Sequence, residues 1–455
     1  MTRMTYQSTV EQLYALGHEL ANTPSHKFDL AYVRTMLEAL GHPERRFASV
    51  LIAGTNGKGS TAATLSSILR VAGYKTALYS SPHLVRINER VRVNGEAISD
   101  VEFGSMHERV ERIAQELLHT GRLPWHPSFF EMLTAMAFEY FASVGVEIAV
   151  LEVGMGGRLD ATNVVEPVIS VIADIALDHQ KYLGNTIPEI AGEKAGIIRT
   201  NGVVVTLPQH PQANDVIGHA ILEKNARGVS AVQYVPPVSP GAAAYLAGRV
   251  VPVPGRNRYP LSVMGEEIDV DSPLAGRHQL RNVALAIAAA EELAQFGFRV
   301  TPKQIEQGIR ETRWPGRFQV LPPSAATHQR KMVLDVAHNP AGAWALRSAL
   351  SENFPDRELT FVFAAMRDKP LQEIAEILFP LAEQVVVTSV ANPRAASTSE
   401  LLQAASRTGV ALCAEETAAA ALARAQDLSK PDGVIVMTGS MFLVGEAMTL
   451  MGVQT

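Results

Sequence analysis

Short apolar runs separated by segments of helical periodicity organise the first part of the chain. Val50–Ala53, Thr76–Tyr79, Ile148–Val153, Val168–Ile175 and Val203–Leu207 lack the polar alternation of half-exposed strands. They therefore predict strands buried on both faces, as in a parallel sheet covered by helices. Phe129–Val144 and Val283–Phe296 are rich in good helix formers and predict two of the covering helices. Pro and Gly crowd the stretch 235–273, which predicts strands and turns at the periphery of this domain. After Trp314-Pro315-Gly316 and a polar stretch over 322–330, apolar runs resume at Met332–Val336, Leu359–Ala364, Val385–Val390 and Val434–Thr438. The expected organisation is a first α/β domain over 1–316, a linker over 317–330 and a second, smaller α/β domain over 331–455. No internal repeat or low-complexity tract interrupts it.

Composition supports globular folding and narrows the partners. Of 455 residues 47% are hydrophobic and 19% charged, which argues against disorder, collagen and coiled coil. The net charge of −6 offers no general attraction for nucleic acid or an anionic membrane, so any anion has to be held locally. The one cysteine, Cys413, excludes an intrachain disulfide and Cys-clustered metal sites, and within VALCAEE it reads as a buried small hydrophobe. No apolar run has the length of a signal peptide core or a membrane span. The chain reads as a cytoplasmic protein with no nucleic-acid and no membrane partner.

The first chemistry-bearing motif follows Val50–Ala53: Gly54-Thr55-Asn56-Gly57-Lys58-Gly59-Ser60, then a helix-compatible TAATLSSILRVAG. Glycines let backbone N–H groups turn around phosphate oxygens, the helix N-terminus adds positive dipole, and Lys58 adds a point charge. A glycine separates the lysine from the hydroxyl residue, a departure from the usual spacing. The order of strand, loop and helix favours a nucleoside triphosphate site over a simple glycine turn, without naming a reaction.

Other candidates sit at strand ends. Glu152 closes IAVLEVG, where open α/β sheets place ligands, and suits Mg²⁺ or a loop-capping role. Asp178-His179 follows another apolar run and Ser80-Ser81-Pro82-His83 a third, each equally readable as a turn; His338 in VAHNP reads more simply as a hydrogen-bonding surface residue. Lys194 alone reads as a solvated helix lysine. Arg367-Asp368-Lys369 and Asn392-Pro393-Arg394 follow strand ends and could line a ligand pocket, but charged loops of this kind read more simply as solvated.

Taken together, GTNGKGS (Gly54–Ser60), YSSPHLVRINERVRVNG (Tyr79–Gly95), SFFEMLTAMAF (Ser128–Phe138), LEVGMGGRLDATN (Leu151–Asn163), LDH (Leu177–His179), GEKAGII (Gly192–Ile198), GRHQLRN (Gly276–Asn282), WPGRFQ (Trp314–Gln319) and LDVAHNP (Leu334–Pro340) resemble folylpolyglutamate synthase/dihydrofolate synthase, in order and spacing along almost the full chain. That family belongs with the Mur ligases, ATP-dependent enzymes that join a carboxylate to an amine. The resemblance implies a larger N-terminal P-loop ATPase domain with a mostly parallel sheet, like the Mur ligase central domain, and a smaller C-terminal Rossmann-like domain.

It further implies ATP at Gly57, Lys58, Gly59 and Ser60, with Asn282, Arg317 and Asp335 as further contacts. Ser81, Glu152 and His179 match Mg²⁺ ligands, for two ions, with K⁺ as an additional cation. Lys194 matches a lysine converted to N6-carboxylysine, a reversal of charge that suits a site of metal and phosphate. Lys58, Lys194, His179, Arg317 and His338 are the implied catalytic residues, Arg317 also as a sensor of domain closure. Asp335 and His338 lie on the nucleotide and glutamate side of the smaller domain. The pterin or folate pocket is expected at Asp29, Leu30, Ser128, Phe129, Phe130, Leu159, Asp160 and Ala161. The implied substrates are dihydropteroate or a reduced folate, L-glutamate and ATP, joined through an acyl phosphate by a monomer. Two rivals remain: a Mur ligase for cell-wall precursors, for which Met1–Ala53 leaves little room ahead of the loop, and a nucleotide-hydrolysing switch, which needs no amino acid.

Overall fold

The computed structural model describes residues 5–17, 29–237 and 253–454. Eight strands form the first sheet: β1 (Ala48–Ala53), β2 (Thr76–Tyr79), β3 (Val91–Val93), β4 (Glu96–Ala97), β5 (Ile148–Glu152), β6 (Ile169–Ile172), β7 (Val203–Thr206) and β8 (Arg227–Ser230). Their order is β4-β3-β2-β5-β1-β6-β7-β8. Strands β2, β5, β1, β6, β7 and β8 run parallel, while β3 and β4 continue the edge antiparallel. Each of the five apolar runs yields one of the parallel strands, and β1 lies between β5 and β6, so it delivers Gly54 to the middle of the sheet's C-terminal edge.

Helices cover both faces. The helix Phe129–Ser143 packs its apolar residues on one side of the sheet, and Arg277–Glu292 covers the other. The helix Lys58–Val71 is buried for nearly its whole length, and a Cβ at Gly308 would lie 2.4 Å from the Ile68 Cα, which shows how closely the helix Pro302–Arg310 crosses it. Within the Pro- and Gly-rich stretch, β9 (Asn257–Val263) and β10 (Glu266–Ser272) form an antiparallel hairpin. Residues 238–252 of that stretch lie outside the described residues.

The second sheet comprises β11 (Gln319–Leu321), β12 (Lys331–Leu334), β13 (Leu359–Phe363), β14 (Gln384–Thr388), β15 (Ala411–Glu415) and β16 (Val434–Thr438), in the order β11-β12-β16-β13-β14-β15. All are parallel except β11, which pairs antiparallel with β12. The segment 317–330 is thus not a plain linker. Phe318 is fully buried beside Phe354, and β11 joins the sheet directly after it. Three residues are too few to reveal a strand by periodicity. Cys413 is half-buried rather than buried, because β15 is an edge strand.

The domains meet closely. Gly445 of the second domain lies against the loop after β2, where a Cβ would approach the Leu84 carbonyl oxygen to 2.0 Å. Among the described residues no helix is long and apolar enough to cross a membrane.

Candidate active site between the two domains

The phosphate loop is fixed from below by its own backbone. Thr55 and Asn56 donate their N–H groups to the Asp174 carbonyl at 2.8 and 3.2 Å, and the Thr55 hydroxyl bonds the Ala176 carbonyl at 3.0 Å. Gly57 has φ 85°, a left-handed conformation that costs any residue with a Cβ, and a Cβ there would fall 2.2 Å from Asn282 Oδ1. A Cβ at Gly59 would meet the Trp314 ring at 2.7 Å. Asn282 is itself oriented by donating its Nδ2 to Gln279 Oε1 at 2.8 Å. The loop glycines therefore make space for the side chains that pack around them. Ser60 sits buried in the first turn of the helix.

Two lysines converge on one carbonyl. Lys58 Nζ donates to Gly54 O at 3.1 Å and to Thr55 O at 3.4 Å, and Lys194 Nζ donates to the same Gly54 O at 2.9 Å. Lys194 is 3% exposed, not solvated as its local sequence suggests. Burial, reinforced by the charge of Lys58, pushes its ammonium down to about 7.

The neighbouring strand ends supply the carboxylates. Glu152, at the end of β5, is buried, and the Ser81 N–H donates to its Oε2 at 3.3 Å. After β6, Asp174 is chelated by Arg281, with Nη2 2.6 Å from Oδ1. Farther along this segment Asp178 reaches the second domain. Lys369 Nζ lies 2.6 Å from its Oδ1 and Asn339 Nδ2 3.1 Å from its Oδ2, while His179 and His338 stand 4.0 and 3.8 Å away. Burial alone would raise Asp178, but His179, Lys369 and His338 outweigh it and hold the carboxyl well below its ordinary range. Burial pushes both histidines down to about 4, against the pull of Asp178, so they are neutral near pH 7.

On the second domain, Asp335 accepts N–H groups from Phe318 and Ala337, each at 2.8 Å. Burial raises its carboxyl and Arg317 opposes the shift; burial lowers the Arg317 guanidinium, against the attraction of Asp335 and Glu152. Arg317 thus feels a carboxylate from each domain. His338 Nδ1 is 2.9 Å from the Val336 carbonyl, which can only accept, so the ring proton sits on Nδ1 and Nε2 carries the lone pair. Asn339 caps the helix Pro340–Asn353 and also donates to Asn56 Oδ1 at 3.1 Å, tying this helix to the phosphate loop.

The expected pterin residues have distinct structural duties. Asp29 caps the helix Leu30–Ala39, and Ser128 caps Phe129–Ser143 in a reciprocal arrangement with Glu131. Phe129 is 2% exposed and stacks on Tyr14, with centroids 5.7 Å apart. Phe130 is half-buried and faces Gly154, where a Cβ would lie 2.6 Å from its ring. Asp160, after Leu159, accepts N–H groups from Met155 and Thr162 and ties down the turn that opens with buried Ala161. Burial raises its carboxyl despite those bonds.

Local sequence missed Lys369, whose side chain is 7% exposed rather than solvated. Arg367 and Arg394, from the same loops, do remain partly exposed, paired with Glu400 and Asp368. Arg281, only one residue from Asn282, carried no separate signal. Among the described residues, no group of three His, Cys, Asp or Glu side chains converges as a metal cage.

Comparison with known proteins gives this geometry a family. The model of the Mur ligase middle domain matches residues 129–290, and that of the Mur ligase, glutamate ligase domain matches 316–441. A dihydrofolate synthase/folylpolyglutamate synthase of Bacillus subtilis is 35% identical, covering 82% of this chain and 84% of its own. A folylpolyglutamate synthase of Lacticaseibacillus casei is 33% identical, covering 99% of each. Among solved structures, Mycobacterium tuberculosis folylpolyglutamate synthase complexed with ADP superposes with a TM-score of 0.87 at 32% identity, covering 98% of this chain and 99% of that one. Escherichia coli FolC in complex with DHPP and ADP superposes with a TM-score of 0.79 at 27% identity, covering 99% and 98%. The chain belongs to the dihydrofolate synthase/folylpolyglutamate synthase family of Mur ligases.

Proposed function

We propose that the chain is an ATP-dependent amide ligase that adds L-glutamate to dihydropteroate, to the γ-carboxyl of a reduced folate, or to both. The observation that carries this reading is that the phosphate loop, with Lys58 and Lys194 on its Gly54 carbonyl, meets the second domain through Asn339 on Asn56, beside Lys369, Asn339 and His338 around Asp178. The relatives solved with ADP and with DHPP support a nucleotide site and a second small-molecule site here.

ATP phosphates occupy the loop Gly57, Lys58, Gly59 and Ser60, where N–H groups, the helix dipole and Lys58 receive negative charge. Asn282, Arg317 and Asp335 hold the remainder of the nucleotide. The donor set suits Mg²⁺: the Ser81 hydroxyl and the Glu152 carboxylate supply oxygen, and the small number of side-chain ligands leaves positions for phosphate and water. Ser81, Glu152 and His179 would hold it, and its charge would neutralise the phosphoryl group in transfer. Lys194 suits conversion to N6-carboxylysine, because carbon dioxide adds only to a neutral amine and a pKa of about 7 populates that form.

In the reaction, an acceptor carboxylate oxygen attacks the γ-phosphorus and ADP leaves. The amine of glutamate then attacks the acyl carbon, gives up a proton and expels phosphate. His338, neutral and with Nδ1–H committed to Val336, offers Nε2 to that proton. Phe130 and the turn Leu159–Ala161, with Leu30 and the caps Asp29 and Ser128, orient the pteridine, while buried Phe129, stacked on Tyr14, anchors the start of the same helix. Closure of Arg317 and Lys369 over the crevice keeps water from the acyl phosphate. The test is phosphate release with Mg-ATP and glutamate, run with dihydropteroate and with tetrahydrofolate, and the amide products identified by mass. Stimulation by at least one acceptor is expected; stimulation by neither refutes the reading.

A further inference from the structure

A cleft of about 770 Å³ lies against the side of the helix Ile187–Ala195 marked by Gly192 and Ala195, and it borders the proposed pteridine pocket at Leu30. Lys194 leaves the same helix in the other direction, toward the Gly54 carbonyl. The cleft's opposite wall is the helix Pro211–Glu223, which contributes Val216 and Ala220, and its volume is that of an ordinary small-molecule site.

Its charges are unbalanced. Arg34, Arg158, Arg199 and Lys224 line it against only Glu166 and Glu223. Arg199 is anchored by the carbonyls of Asn163, Val165 and Ile197 and pairs with the exposed Glu166 at 3.2 Å. Arg158 pairs with Glu193 at 2.8 Å and Lys224 with Glu223 at 3.8 Å. Arg34 makes no hydrogen bond or ion pair among the described residues, and its charge adds to burial in lowering the Arg199 guanidinium. Three of these cations are paired with a carboxylate and Arg34 is not, so the lining keeps a net positive charge that an anion would neutralise.

We propose that this cleft is a second ligand site, for a small polyanion bearing carboxylate or phosphate groups, held by Arg34, Arg158 and Lys224. Binding is coupled to the crevice through Arg158. Its N–H donates to Glu193 O at 2.8 Å, and a Cβ at Gly196 would lie 2.4 Å from Arg158 Cβ. No slack separates the loop Met155–Asp160 from the helix of Lys194, so a ligand that draws Arg158 from Glu193 shifts both.

The probes are tripolyphosphate and tricarballylate, titrated calorimetrically without metal into the full-length chain carrying Lys58→Ala, which weakens the competing phosphate loop. At least one probe is expected to bind, about tenfold or more weakly when Arg34→Gln and Lys224→Gln are added. Glu193→Gln is expected to tighten binding severalfold by releasing Arg158, and thermal melting checks that each variant is folded. Binding of tripolyphosphate alone assigns a phosphorylated ligand, and binding of tricarballylate alone a polycarboxylate. Binding of neither probe, or affinities unchanged by Arg34→Gln/Lys224→Gln, overturns the site; an affinity unchanged by Glu193→Gln overturns the part given to Arg158.

Discussion

Replacing Lys369 with methionine removes the ammonium from a pair in which both side chains are nearly buried, 7% and 8% exposed, at 2.6 Å. Breaking a buried pair by removing one partner costs about 3–5 kcal/mol, because the other charge is left uncompensated. Asp178 would keep two donors, Asn339 Nδ2 at 3.1 Å and the His179 N–H at 2.8 Å. Each is worth about 1.5 kcal/mol or more to a charged acceptor, so the expected loss lies at the lower end of that range, about 3 kcal/mol. The partners lie in different domains, so the loss falls on the interdomain contact. Removing both charges, with Asp178→Asn and Lys369→Met, leaves no orphan ion and should recover most of the loss, a coupling measurable by a double-mutant cycle. Urea unfolding at neutral pH of the four chains, followed by circular dichroism and by tryptophan fluorescence, supplies the free energies. A Lys369→Met chain as stable as the wild type, or a double variant no more stable than Lys369→Met, would refute the reasoning.

Gly57→Ala should weaken ATP binding at least about tenfold in equilibrium dialysis, since the new Cβ meets both a left-handed φ of 85° and Asn282 Oδ1 at 2.2 Å. Lys194 has a folded pKa of about 7 against 10.5 when exposed, so between these values the unfolded chain binds the extra proton and stability rises with pH. In carbonate-free buffer, Lys194→Met should flatten that rise between pH 7 and 10 in thermal melting; an identical slope in both chains would contradict the burial argument. Arg317→Ala should lower turnover about tenfold or more, through the lost attraction to Asp335 and Glu152, and a change in ATP affinity with full turnover would remove its role in closure.

The phosphate loop was readable because its chemistry is local: glycine at 54, 57 and 59 serves backbone geometry within a single turn. The parallel strands were readable because burial on both faces erases alternation. Lys369 was not readable, because its partner lies 191 residues away in the other domain and nothing beside it in the chain differs from a solvated loop. Lys194 failed locally for the same reason, its burial arising from the packing of its helix against the loop after β1. Phe129 and Phe130 are adjacent aromatics in sequence, and only helical phase sends one into the core and leaves the other beside Gly154. Strand β11 was hidden in the interdomain segment because three residues give no period to read.

The measurement that tests the central claim most directly follows oxygen. An acceptor labelled with oxygen-18 in the carboxylate to be extended, incubated with Mg-ATP and glutamate, should pass one labelled oxygen to the released phosphate for every amide formed, because the acyl phosphate carries that oxygen away on its phosphorus. Amide formation with unlabelled phosphate would contradict the acyl phosphate, and with it the assignment of the crevice between Lys58 and His338.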